Sequence, residues 1–364
     1  MGQIAQMGIG PDEIALLQLL AATLPETTSN SFNNVYPNQR VIALAQATKC
    51  LSLISGQLSR YGDNLDVETM QTLARDIEET THSNLAQLVQ TLACQDLLKH
   101  HKIPAIAFKG VVRQQQLYGR IDVRRSCDID LLVARNDYDK AQEILLSAGY
   151  RPGVNPASRW WHNYLGESPY IAPAPYKFII DLHHRLQQPG APAPCDINTL
   201  VGSTVTVEFG SRQIQTLSPD AALLVSVISY SKALRERQPW LIYAHEIATA
   251  RTAFTAVQEK SFMNFVTRQN MLRLTQDAFD ETDSLWKSVQ ILSKGNDINR
   301  RDAAIICRAL GMQTERMLRR SGLRWRWLDG ALVSRSVKFV RLAAGFYTSN
   351  YVRWREERSG LQHM

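Results

Sequence analysis

Asp128-Ile129-Asp130-Leu131-Leu132-Val133 decides how the chain is read. Two acids alternate with apolar residues and then give way to an unbroken apolar run. Successive side chains of a strand point to opposite faces, so Asp128 and Asp130 project together while Ile129 and Leu131 face a core. The Leu131-Leu132-Val133 run requires burial, and two carboxylates side by side repel unless a cation stands between them. Oxygen-rich settings of this kind suit hard divalent ions such as Mg2+. A solvated edge strand accounts for one such Asp more easily than for two.

Upstream, Ile103-Pro104-Ala105-Ile106-Ala107-Phe108 reads as a short strand that ends at Lys109-Gly110, and residues 111–119 read as a helix. A strand feeding a helix through a turn points backbone N–H groups and a positive helix end at an anion. Lys109 adds a point charge for a phosphate. Downstream, Tyr176 to Leu182 reads as a third strand ending in Asp181-Leu182-His183-His184-Arg185. Asp181 and His183 share a face, and a third carboxylate on a neighbouring strand would complete a metal-binding triad. Arg124 and Arg125 precede Asp128 closely enough to reach phosphate oxygens, or to pair with Asp122.

Outward from these motifs the texture is helical. Pro11, Asp12 and Glu13 open a helix over residues 11–24, and residues 25–37 form a loop. Two helical patterns follow at 38–60 and 66–101, broken near Gly62-Asp63-Asn64, the second with Leu85, Leu88 and Leu92 as its apolar face. Asn136 or Asp137 can cap a helix that ends at Gly149. Val201 to Ile214 suggests a hairpin around Gly210. Ser218-Pro219 then starts a helical stretch that runs nearly to the end.

Phe108-Lys109-Gly110, Tyr118, Arg124, the Asp128–Val133 strand, Gly149-Tyr150, Asp181-Leu182-His183 and Leu217-Ser218-Pro219-Asp220 form an ordered set. That set resembles the uncharacterised nucleotidyltransferase-like family of the polymerase-beta nucleotidyltransferase superfamily, over about residues 85–250. The resemblance implies an α+β fold: a small mixed β-sheet core with helices on one face. Flanking it are a helical N-terminal arm and a helical C-terminal half, giving regions 1–101, 102–216 and 217–364. It also implies transfer of a nucleoside monophosphate from an NTP to an acceptor hydroxyl on a protein, a small molecule or RNA. Asp128 and Asp130 would bind two Mg2+ ions and the triphosphate, and Asp181 would share the catalytic metal and help activate the acceptor. Lys109, Gly110 and Arg124 would contact nucleotide, with His183 behind the metal ligands. The chain departs from the superfamily in having Lys-Gly where Gly-Ser is usual. Ser229 stands where a His is frequent in the helical half, and Glu246, beside His245, stands in place of an Asp.

Composition bounds the alternatives. The chain has 364 residues, 45% of them apolar, which excludes a disordered, collagen-like or coiled-coil protein. Five widely spaced cysteines without a CxxC pattern argue against a disulfide framework or structural zinc site and for reduced thiols in the cytoplasm. The first residues lack the features of a signal peptide, Gln6 does not suit myristoylation, and no apolar run reaches transmembrane length. The net charge of +7 is uneven: Arg300 to Arg358 holds 14 Arg/Lys against 5 Asp/Glu. Arg316, Arg319, Arg320, Arg324-Trp325-Arg326-Trp327, Arg335, Lys338, Arg341 and Arg353-Trp354-Arg355 would suit RNA, an anionic membrane surface, or a solvated helix face with Trp packed inward. Two further readings therefore stand beside the enzyme. One is a non-catalytic nucleotide-binding or antitoxin-like module, and the other an RNA-binding protein acting through this basic half. His100-His101 reads as a favourable cationic helix end, and Trp160-Trp161 as a packed aromatic pair.

Overall fold

A computed structural model describes residues 5, 7–25, 35–61, 64–155, 158–312 and 337–359, with side chains in the last stretch from residue 344 onward. Arg316, Arg319, Arg320, Arg324 to Trp327 and Arg335 lie outside the described residues, as do the side chains of Lys338 and Arg341. At the centre is a mixed sheet of β1 (Ile106–Ala107), β2 (Asp128–Leu132), β3 (Arg151–Pro152), β4 (Glu167–Ile171) and β5 (Ile179–His183), in the order β1-β2-β5-β4-β3. β2 and β5 run parallel, and the other pairs are antiparallel. A separate hairpin, β6 (Thr204–Phe209) and β7 (Arg212–Leu217), turns at Gly210, whose φ is 60°.

The alternation in β2 sorts the sheet into two faces. Ile129, Leu131, Ile180 and Leu182 are buried in one cluster with Leu88, Cys94, Val111, Ile144 and Leu145. These residues come from the helices Val67–His100, Gly110–Tyr118 and Arg135–Ser147, so the helices cover this face. A second cluster joins N-terminal helices through Leu16, Leu20, Val41 and Ile54 to C-terminal helices through Leu224, Trp240, Phe262 and Leu285. As expected, Ser218 caps the helix Pro219–Glu236 and Pro219 takes its first position.

Several local expectations shift. The pattern at 38–60 is not one helix: Gln39–Ala47 and Leu51–Ser55 are separated at Lys49, which adopts a left-handed φ of 60° and ends the first helix. Ala134, and neither Asn136 nor Asp137, is the N-cap of the helix Arg135–Ser147. On the long helix Val67–His100, Leu85 is 45% exposed while Asn84, Gln87, Gln90 and Thr91 are buried. This face is polar because it pins the sheet. Asn84 Nδ2 donates to Arg124 O (2.8 Å), Gln87 Nε2 to Asp128 O (2.6 Å) and Gln90 Nε2 to Phe178 O (2.6 Å). Phe178 N and Ser126 N donate back to Gln90 Oε1 and Asn84 Oδ1, both at 3.0 Å. A buried amide is stable only when its hydrogen bonds are made, and these carbonyls and N–H groups belong to the segments entering β2 and β5.

Candidate functional site

β2 and β5 set Asp130 directly beside Asp181, and β4 sets Glu167 beside His183. Side chains two residues apart share a face, so Asp128, Asp130, Asp181, His183 and Glu167 gather on the side of the sheet opposite Ile129 and Leu131, where a cleft opens. Ligand atoms of Asp130, Asp181 and His183 lie within 4.8 Å of one another, a grouping able to hold a metal ion. Asp128 is exposed at the rim of the same cleft, outside that tight group. Lys109 Nζ donates to Asp130 Oδ1 at 2.9 Å, and His183 Nε2 stands 3.0 Å from the same oxygen. His183 Nδ1 is 3.4 Å from Glu167 Oε2 without a well-aligned hydrogen bond, so the imidazole stands between two carboxylates.

Charge is unevenly settled here. Burial opposes ionisation of Asp130, but the Lys109 ammonium and the His183 imidazole override it and hold its carboxyl well below the usual range. Asp181 has no such partner: burial first, then Glu167, push it up to about 7, against a smaller opposing effect of His183. Although Asp128 is solvent-exposed at the rim, partial desolvation by the surrounding cleft, then the neighbouring Asp130, raise it as well. Burial alone would lower His183, yet Glu167 and Asp130 raise it. Four carboxylates thus meet one lysine and one histidine, and the oxygen donors of Asp130 and Asp181 fit a divalent cation that would relieve the remaining repulsion. The imidazole fits the same ion either as a ligand or, through Asp130, as the group that orients a ligand.

The cleft continues into a cavity of roughly 680 Å3, a size typical of small-molecule sites. Lys109 is the N-cap of the helix Gly110–Tyr118, and Gly110 takes φ 60°. A Cβ on Gly110 would lie 2.9 Å from Gln87 Oε1, so the turn requires glycine on both counts. Gln87 Oε1 also accepts from Val111 N at 3.3 Å, taking one of the free N–H groups at that helix start. Arg124 does not pair with Asp122, which Arg120 engages with both Nε (2.5 Å) and Nη2 (2.6 Å). Instead Arg124 Nε lies 3.4 Å from Glu246 Oε1 across the cavity, and Ser226 Oγ donates to Glu246 Oε2 at 3.0 Å. Arg125, at the cavity's edge, lies 3.9 Å from Glu79 on the surface. The Glu246 and Ser229 departures from the family pattern both line the cavity.

All the expected positions, Lys109, Gly110, Arg124, Asp128, Asp130, Asp181 and His183, line this one space. Sequence reading missed Glu167, because Pro169 interrupts a stretch whose Ser168/Tyr170 alternation was the available signal. It also missed Arg113 and the N-terminal contribution of Thr48, Lys49, Ser52 and Asp76, whose only link to the cleft is tertiary. His245, next to Glu246, is fully buried, 2.6 Å from Thr23 Oγ1 and 3.1 Å from Tyr118 Oη, and burial lowers it to about 3. Trp160 and Trp161 do pack against each other, edge to face at 5.2 Å.

A profile for a family described as an uncharacterised nucleotidyltransferase matches residues 37–249. No curated protein matches the chain. Solved structures with partial likeness include the following three. The antibiotic-resistance factor ANT(2'')-Ia in solution is 14% identical, over 50% of this chain and 92% of its own, with a TM-score of 0.34. Its crystal form in complex with adenylyl-2''-tobramycin is 13% identical, over 50% of this chain and 98% of its own, with a TM-score of 0.33. An antigenic nucleotidyltransferase-like protein from Paracoccidioides brasiliensis is 15% identical, over 53% of this chain and 92% of its own, with a TM-score of 0.31.

Proposed function

The chain belongs to this uncharacterised nucleotidyltransferase family, and from that premise we propose that it transfers a nucleoside monophosphate from an NTP to an acceptor hydroxyl with the help of divalent metal ions. The observation that carries the reading is the in-register pairing of Asp130 with Asp181 on parallel strands, with Asp128 on the same face at the mouth of the cavity. Asp128, Asp130 and Asp181 would hold the metal, Mg2+ in two sites on this reading, with His183 and Glu167 orienting Asp130. What such ions supply is charge neutralisation at the α-phosphate and at the leaving oxygens. Lys109, the Gly110 turn and Arg124 would position the triphosphate, since phosphoryl transfer is mostly placement and electrostatics. The acceptor oxygen attacks the α-phosphorus, the bond to the β-phosphate oxygen breaks, pyrophosphate leaves, and the acceptor proton passes to Asp181.

We read regions 1–101 and 217–364 as the substrate-enclosing flanks of the 102–216 core. In support, the cavity is walled by Thr48 and Ser52, by Asp128, and by Ser229 and Glu246. The acceptor side is therefore the helical side, and the acceptor is a protein, a small molecule or an RNA end. Five free cysteines support a reducing, cytoplasmic setting. No described helix is long and apolar enough to cross a membrane.

Incubation with α-labelled ATP, CTP, GTP and UTP, Mg2+ and candidate acceptors tests this. Label should appear with wild type and vanish with Asp128→Ala/Asp130→Ala; identical labelling by both would show that the site is misassigned. Mg2+-dependent NTP binding without turnover on any acceptor would place the protein among nucleotide-binding or antitoxin-like regulators. Steeply salt-dependent RNA binding that survives Asp128→Ala would assign its work to the basic C-terminal half.

A further inference from the structure

Among the described residues, the Phe, Tyr and Trp side chains exposed by more than about a third are Tyr347 (63%), Tyr351 (56%) and Trp354 (46%). All three lie on one helix, Val337–Arg358. Their spacing of four and three residues, continued by Arg358 four residues on, places them in a single stripe of the helix surface. Arg355 flanks that stripe and is also exposed.

The opposite face of the helix is fastened. Glu356 accepts from Ser158 Oγ at 2.6 Å and from Arg159 N at 2.9 Å. Ser349 Oγ accepts from Trp160 Nε1 at 3.2 Å and donates to Gln188 Oε1 at 3.0 Å. The helix therefore cannot roll its aromatic side inward without breaking buried hydrogen bonds. Its acids are used elsewhere as well: Glu356 is buried in that contact, and Glu357 pairs with Arg353 at 2.8 Å. What faces outward is aromatic and positive.

We propose that this outward face of the helix, from Tyr347 to Arg358, docks the protein on the surface of an anionic phospholipid bilayer. Tyr and Trp carry an apolar body and a polar tip and so suit the headgroup boundary, while arginine meets lipid phosphate. The ring arrangement favours lipid over a single-stranded nucleic acid. Arg358 already covers the Trp354 ring at 4.3 Å, and the Tyr351 and Trp354 rings rest against each other at 6.0 Å. The flat faces that a base would stack on are thus partly taken. A second copy of the chain is disfavoured by charge, because a two-fold contact would set the same net-positive stripe on both copies, and the neighbouring exposed acid, Glu357, is already paired with Arg353. The docking surface is independent of the nucleotidyl-transfer chemistry.

The test is co-sedimentation of the full chain with vesicles of equal parts phosphatidylglycerol and phosphatidylcholine, against phosphatidylcholine alone. Binding is expected on the anionic vesicles only, and it should fall with added salt. Tyr351→Ser/Trp354→Ser and, separately, Arg355→Glu/Arg358→Glu should each weaken it roughly fivefold or more, with circular dichroism and Tm unchanged. Equal binding by wild type and both variants, or no preference for the anionic lipid, overturns the proposal. So does an affinity for single-stranded RNA, or a concentration-dependent dimer, that the same variants abolish while vesicles remain unbound.

Discussion

On β2, Ile129 and Leu131 point into a core with Leu88, Val111 and Leu145, while Asp128 and Asp130 point into the cleft. The two sets are neighbours in sequence and differ in what a substitution costs. On the apolar face, stability comes from contact area, which many side chains share. On the cleft face, it comes from a few charges whose partners are named: Lys109 and His183 for Asp130, and no described cation directly bonded to Asp181. One face holds the sheet together, and the other carries an electrostatic strain between like charges that a bound cation would relieve. The strain is tolerable because the buried face and the amide ladder of Asn84, Gln87 and Gln90 hold the strand ends in place.

The contrast is tested most strongly by replacing one residue on each face. Asp130→Asn should lower nucleotidyl transfer by about a thousandfold, roughly 4 kcal/mol of transition-state stabilisation, while the protein remains folded by circular dichroism. Unchanged kcat would break the assignment of this face to chemistry. Leu131→Ala should do the reverse and cost about 3 kcal/mol of stability, read by urea unfolding, with kcat per folded molecule preserved.

The buried contact between the helical regions carries a pH dependence of its own. His245 titrates at about 3 in the folded chain against an ordinary value of 6.5. Between these values the unfolded chain binds a proton that the folded chain refuses, so stability must fall as pH falls through this window. By pH 5 the loss is about 2 kcal/mol, and His245→Gln should flatten that part of the Tm-against-pH curve. A variant with the same slope as wild type would show that His245 is not the group responsible.

The smallest effect expected is at Glu167→Gln, about tenfold in kcat. Removing this charge also removes one of the causes that raise Asp181, so the acid limb of the pH–rate profile should move to lower pH. An unmoved limb would separate Glu167 from Asp181 and leave it a purely structural neighbour of His183.

Much of the candidate site's layout was legible because strand alternation is local. Asp128-Ile129-Asp130 and Asp181-Leu182-His183 each declare which residues share a face, and the Pro219 helix start declares its own cap. The Val67–His100 helix was legible as a helix, and Leu88 and Leu92 do face the core, but Leu85 does not and the buried polar side chains beside them were missed. Its Asn and Gln side chains look solvent-facing until the strand-end carbonyls they bond are known. Arg124 was read as a phosphate ligand or a partner of Asp122; only the fold shows that Glu246, far along the chain, stands opposite it. The docking stripe was half legible, as Arg interleaved with Trp, and became a surface only once Glu356 and Ser349 fixed which side faces in.

From the sequence alone came the residue types, their period-two placement, and the ordered spacing that marks the family. Those properties depend on dihedral geometry within a few residues. The tertiary structure decided the register that puts Asp130 beside Asp181. It also decided the arrival of Glu167 next to His183, and the closing of the cavity by helices from both ends of the chain. These depend on long-range strand pairing and on burial of two shared apolar clusters, and neither leaves a mark in the local pattern.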